Sequence, residues 1–209
     1  NILIFGETGA GKSSVLNMIA GKVIASVSGD AEGHTFKSTP YLVNVNGATQ
    51  VRFWDTAGLN EGEHGTVPAV QAMKNLQDLV GNMQGVSLLL FCIRGSRFRE
   101  IWKINYDLFA GVICQGKVPV VLLVTGLENE SPMENWWTEN SEEIVKRGMT
   151  FGGHACITST RGKQLKSGEY RYQEEFDESE IAVRKVVVDH CLGTPQMFDS
   201  GTWLSEITS

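Results

Sequence analysis

The sequence predicts an α/β domain of three layers, built on a mostly parallel sheet with one antiparallel edge strand. Two observations carry this. Short, wholly apolar runs alternate with segments of helical period, as in a parallel sheet covered on both faces. A single Asn46-Gly47 pair joins two β-rich runs, the signal of one hairpin.

Ile2 to Phe5 (ILIF) reads as a central strand. Val15, Leu16, Met18 and Ile19 follow at helical spacing, and Gly21 supplies a stop. Residues 21 to 40 are polar and read as a long loop. Tyr41 to Val45 and Val51 to Trp54 form the hairpin, and Pro40 suits an edge strand. A second loop, 57 to 68, leads into a helix from Pro68 to Val80. Val86 to Ile93 is the next buried strand, Ile101 to Cys114 a helix, and Val118 to Val124 a strand. A helix around Glu142 to Arg147 precedes a short last strand, Ala155 to Thr158. Glu174 to Cys191 reads as the closing helix, with Ile181, Val183, Val186, Val187 and Val188 inward. Asp177 with Glu180 is its expected capping box, and Gly193 with Pro195 ends it. The chain thus divides into a domain over 1–192 and a tail over 193–209, a strap or a disordered end.

Composition narrows the function. With 209 residues, 42% hydrophobic and 20% charged, the chain suits one domain with a real core. A net charge of −6 gives no general attraction to polyanions, so no nucleic-acid partner is expected. Cys92, Cys114, Cys156 and Cys191 form no CxxC pair, and the first and second of these read as small core residues. A reducing, cytoplasmic setting is the expectation. Peripheral membrane attachment stays open, because Asn1 leads directly into an apolar strand. His34, His154 and His190 lack metal-ligand spacing.

The first strand runs into GETGAGKSS, residues 6 to 14. Gly6, four residues, then Gly11, Lys12 and Ser13 match a phosphate-binding loop between strand and helix. Glycines let successive amides turn inward, and the helix presents its positive end. Gly6, Glu7, Thr8, Gly9, Ala10, Gly11, Lys12, Ser13 and Ser14 are the candidate phosphate contacts, with Lys12 reaching the β- and γ-phosphates. The Ser13 hydroxyl is a candidate magnesium ligand. The hairpin ends in Asp55-Thr56-Ala57-Gly58, where Asp55 can hold magnesium through water and the Gly58 amide can meet the γ-phosphate.

With these motifs, residues 1 to about 190 resemble the translation-factor-related class of P-loop GTPases, in which a hairpin precedes the DxxG segment. Within it the chain looks most like the septin-related branch, which includes the immunity-associated and chloroplast outer-envelope import GTPases. The resemblance implies binding of GTP and GDP with Mg2+. It implies a switch threonine on magnesium, for which Thr35 is preferred over Thr39; Thr39 abuts Pro40 and has little slack. It aligns Thr125-Gly126-Leu127-Glu128 with the base motif of asparagine or threonine, lysine, any residue and aspartate. Thr125 matches, Glu128 keeps the carboxylate that accepts from guanine, and Gly126 removes the lysine that covers the ring. Ser159 and Thr160 in CITSTRGK fall on the second base-side loop, and Trp136 or Trp137 are read as core or as a lid.

After the DxxG glycine, Leu59 stands where the small GTPases place a water-orienting glutamine, so slow turnover is expected. Glu61, Glu63 and His64, or Arg94, Arg97 and Arg99, are the replacement candidates. Arg97-Phe98 resembles a pair through which dimerising relatives present an arginine, and a nucleotide-dependent homodimer is expected. The competing readings are a noncatalytic GTP-binding assembly module and, behind it, an ATPase or nucleotide kinase.

Overall fold

The computed structural model describes residues 1–25, 40–47, 49–56 and 69–198. Six strands form one sheet in the order β2-β3-β1-β4-β5-β6. They are β1 (Ile2–Phe5), β2 (Tyr41–Asn44), β3 (Gln50–Asp55), β4 (Leu88–Arg94), β5 (Val120–Thr125) and β6 (Gly153–Cys156). Among these six strands the β2–β3 pairing alone is antiparallel, as the Asn-Gly hairpin predicts. The turn is longer than a two-residue one. The Asn44 and Asn46 side chains accept from the Gly47 and Thr49 amides, and Val45 N donates to Thr49 O.

Alternation of side chains across the pleat sorts the core into two layers. Ile2, Ile4, Leu90, Cys92, Val121 and Leu123 pack beneath α1 (Lys12–Ala20) and α5 (Gln173–His190). Leu3, Phe5, Phe91, Ile93, Leu122 and Val124 pack on the other face, against α2 (Ala69–Asn82), α3 (Glu100–Tyr106) and α4 (Asn135–Lys146). The third helix continues as a π-helical stretch over Asp107–Ile113, so Ile101 to Cys114 is one helical segment as expected. Arg184 on α5 joins elements that are distant in sequence: its guanidinium donates to Val45 O at 2.6 Å and to Ile19 O at 2.6 Å, and also pairs with Glu180.

Three sequence expectations need correction. Helix α4 begins at Asn135, seven residues before the expected Glu142, because Trp136 enters the core against Trp102. Ile181 and Val188 are 68% and 40% exposed, and only Val183, Val186 and Val187 of the five face inward. Asp177 makes no capping box. The helix has begun by Gln173, whose Nε2 donates to Asp177, and its N-cap is Tyr172 without a side-chain bond. After α5, over the described residues 191–198, the chain lies back along the start of β4: Leu192 N donates to Ser87 O, and Val86 and Gln196 exchange two backbone bonds.

Candidate nucleotide site

The carboxyl ends of β1, β3, β4, β5 and β6 open on one edge of the sheet, where ligands of such folds bind. Gly6 opens the phosphate loop with φ +142°, and a Cβ there would stand 2.0 Å from Cys92 O. Only glycine lets the loop pass so close to β4. Gly9 (φ +80°) and Gly11 (φ +88°) turn the chain into α1, whose first turn has no side-chain cap. Its leading amides therefore remain for an anion. Lys12 is 7% exposed, and its ammonium rests on Gly6 O at 2.9 Å and Glu7 O at 3.1 Å. Among the described residues this buried cation is held by carbonyls of its own loop alone, which suits a polyphosphate.

Glu7 points away from the cradle. Its carboxylate is paired with Arg99, and Trp102 Nε1 donates to it at 3.2 Å. Thr8 and Gly9 are exposed and Ala10 is buried. Ser13 and Ser14 are half-buried at the start of α1, and Asp55 is half-buried at the end of β3, beside Ile4. Lys12 and Asp55 both act on Cys92, whose thiol is pushed up to about 12, chiefly by burial, with Lys12 opposing and Asp55 adding. Next to Asp55, Thr56 Oγ1 is buried without a partner among the described residues. These donors, a serine hydroxyl and a carboxylate, fit magnesium.

The base side shows an unexpected division of labour. Thr125 is 3% exposed, and its hydroxyl donates to Ala10 O at 2.8 Å, with Ile93 O at 3.2 Å. It is a strut under the phosphate loop. Glu128 is half-buried and accepts from Thr158 Oγ1 at 3.3 Å. Thr158 is wholly buried; its amide donates to Ser179 Oγ at 3.0 Å, and its hydroxyl accepts from the Thr160 amide at 3.4 Å. Ser159 Oγ would stand 3.5 Å from a Cβ on Gly11, so that side chain borders the phosphate loop. The sequence motif points to Ser159 and Thr160 and misses Thr158. The available signal is its place directly after the apolar Cys156-Ile157. Trp102 carries no sequence signal of its role toward Glu7.

Neither tryptophan of the pair is a lid here. Trp136 is buried against Trp102, and Trp137 stacks on His154 at 4.1 Å. Arg97 is exposed between β4 and α3. Thr35, Thr39, Gly58, Leu59, Glu61, Glu63 and His64 lie outside the described residues.

Comparison with known proteins places this geometry. A family model described as 50S ribosome-binding GTPase matches residues 1–125. The chain belongs to that GTPase family. Among curated proteins it is similar to the mitochondrial tRNA modification GTPase mss1 of Schizosaccharomyces pombe, at 43% identity over 63 residues, 30% of this chain and 12% of that protein. It is also similar to GTPase Era of Glaesserella parasuis, at 24% over 186 residues, 84% of this chain and 58% of Era. The chain therefore spans less than two thirds of either relative. Among solved structures, an Aquifex aeolicus Era variant bound to GDP.AlF4− shares the fold with TM-score 0.64 at 18% identity, covering 95% of this chain and 59% of that one. Toc33 of Arabidopsis thaliana with Mg2+ and GMPPNP does so with TM-score 0.58 at 20% identity, covering 91% and 85%.

One expectation is overturned. The absence of a nucleic-acid partner, inferred from a net charge of −6, does not stand as an exclusion. A third structure of the same fold is Era in complex with MgGDPNP and nucleotides 1506–1542 of 16S ribosomal RNA, with TM-score 0.64 at 19% identity, covering 95% of this chain and 58% of that one. Net charge averages over a whole surface and is silent about local basic groups, such as Arg161, Lys163, Lys166 and Arg171 here.

Proposed function

We propose that this family member is a guanine-nucleotide switch that binds GTP and GDP with magnesium and hydrolyses GTP slowly. The observation that carries the reading is Lys12, buried in a glycine loop with its ammonium held, among the described residues, by that loop's carbonyls alone. A γ-phosphate offers those donors a stronger acceptor, and the uncapped start of α1 adds the helix's positive end. When bound, magnesium neutralises charge on the β- and γ-phosphates, and Ser13 and Asp55, with Thr35, are the residues that would hold it. Glu128 accepts from two donors on guanine, whereas adenine presents an acceptor at the same ring position. Nucleotide exchange with matched GTP and ATP analogues tests this: GTP and GDP compete strongly and ATP and ADP weakly. Equal competition by ATP would refute guanine selectivity.

Slow turnover rests on Leu59, which can neither donate nor accept a hydrogen bond to water. Exposed Arg97 supports a dimer-assisted route, in which a second copy brings an arginine to the transferring phosphoryl group. Phosphate release per molecule should then rise with protein concentration; a flat response rejects that route. Leu59 also favours the noncatalytic assembly reading, which single-turnover phosphate release separates. The finer placement in the septin-related branch is supported by the Arg97-Phe98 pair and the missing glutamine. The family's description and the RNA-bound Era structure bring a ribosomal partner into the same set of tests, by co-sedimentation in each nucleotide state.

A further inference from the structure

Gly126 takes the place of the base motif's lysine, and the structure shows what uses the space. Gly126 has φ +77°, a conformation in which a lysine would be strained. A Cβ built on it meets Arg94 at Cγ (3.3 Å), Nε (3.4 Å) and Cζ (3.6 Å). The arginine therefore lies over the backbone from which the lysine side chain would have started. Arg94 is the last residue of β4, in register with Thr125 on β5. By alternation it shares a face with Leu90 and Cys92, the α1 face on which the phosphate loop sits. It is exposed, and none of the described residues pairs with its guanidinium. The glycine and the arginine are complementary: the first leaves the volume that the second fills.

We propose that Arg94 covers the guanine ring in place of the lysine absent from position 126, so that affinity for the base comes from β4 as well as from the β5 corner. The proposal rests on the reading of Glu128 as the base acceptor. Its chemistry is that of a planar cation on an aromatic face, for which guanidinium is well suited because it is flat and weakly hydrated. The alternative is a solvated strand end, which strand register also brings beside Gly126, and the binding of base against phosphate separates the two.

The test uses the full chain with magnesium, a fluorescent GDP analogue, and tripolyphosphate as a competitor that reaches only the phosphate loop. Arg94→Ala should weaken GDP roughly 5- to 30-fold, through faster dissociation. It should leave the competition constant of tripolyphosphate within about twofold, a split that a general loss of structure would not produce. Arg94→Lys, which keeps charge but loses the plane, should fall between, and it also serves should the alanine variant fold poorly. Glu128→Gln is measured alongside. If Arg94→Ala binds GDP like the parent while Glu128→Gln loses it, the role of Arg94 is overturned and the base site stands. If neither variant matters, the base site falls and the proposal with it. Equal weakening of GDP and tripolyphosphate overturns the proposal too, by assigning Arg94 to the phosphates.

Discussion

Thr125→Val decides whether the hydroxyl closing β5 serves the base or the phosphate loop. The substitution keeps shape nearly unchanged and removes one donor. In the structure that donor lies 2.8 Å from Ala10 O, in a side chain 3% exposed. Removing it from a buried carbonyl costs about 1–3 kcal/mol. For a chain of this size, each kcal/mol moves Tm by about 2–4 °C, so the expected fall is roughly 2–12 °C. Differential scanning fluorimetry reads this without nucleotide and again with saturating GDP, and both curves should drop. Base selectivity is read separately, as the ratio of GDP to IDP affinity, since IDP lacks the 2-amino donor. A strut leaves that ratio unchanged. An unaltered Tm together with a reduced GDP-to-IDP ratio would refute the reasoning and return Thr125 to the base.

Three further outcomes follow from the geometry. Gly6→Ala places a methyl 2.0 Å from Cys92 O at φ +142°, and should cost about 2–5 kcal/mol in urea unfolding; a loss under about 1 kcal/mol would show that β1 and β4 part easily. Arg184→Ala removes donors from Val45 O and Ile19 O and should destabilise by about 2–4 kcal/mol, with the Glu180→Gln variant milder; equal effects would place the value in the ion pair instead. Cys92, Cys114 and Cys156 are pushed up to about 12 by burial, from an ordinary 9.0. Because the folded values are raised, their contribution is complete below pH 9 and is lost as pH rises toward 12, at up to about 1.4 kcal/mol per unit for each of Cys92 and Cys114 and less for Cys156, which solvent screens more. Urea midpoints taken between pH 8 and 10.5 should fall accordingly, and Cys92 and Cys114 should resist thiol reagents at pH 8 until the chain unfolds.

The sheet and the phosphate loop are legible in the sequence because each is specified locally. ILIF abuts a glycine run, and Asn46-Gly47 carries its own turn chemistry. The misreadings arise where tertiary contact decides. Trp136 and Trp137 disturb the polar pattern that begins α4, and only the Trp102 and His154 partners explain them. Ile181 and Val188 could have been rejected on geometry. At about 100° per residue they sit roughly 160° and 140° from Val183, on the opposite side of α5. On the base side, a motif read along the chain credits each residue to one ligand. The fold divides them differently: Thr125 bonds to the phosphate loop at Ala10 O, and Ser159 borders that loop at Gly11. Thr158, unnominated, is the residue that holds Glu128.

The same reasoning explains the carboxylate in the phosphate loop. An acidic side chain at position 7 beside a triphosphate would repel the ligand, in a chain already at −6. The structure removes that conflict by turning Glu7 outward and pairing it with Arg99 and Trp102 on the α3 side. The pairing also links the loop to the segment carrying Arg97, two residues before Arg99. Loop position and Arg97 position are therefore coupled through one carboxylate. Glu7→Gln keeps the size and weakens the pairing, so it separates two effects of opposite sign. Relief of repulsion would tighten GDP binding, while release of the clamp would loosen the loop and free the β4–α3 segment. Tighter binding accompanied by unchanged hydrogen exchange over residues 95–102 would show that the clamp only neutralises charge. Weaker binding with faster exchange there would show that it positions the loop, and the geometry at Trp102 Nε1 favours this outcome, since an indole donor contributes direction without charge.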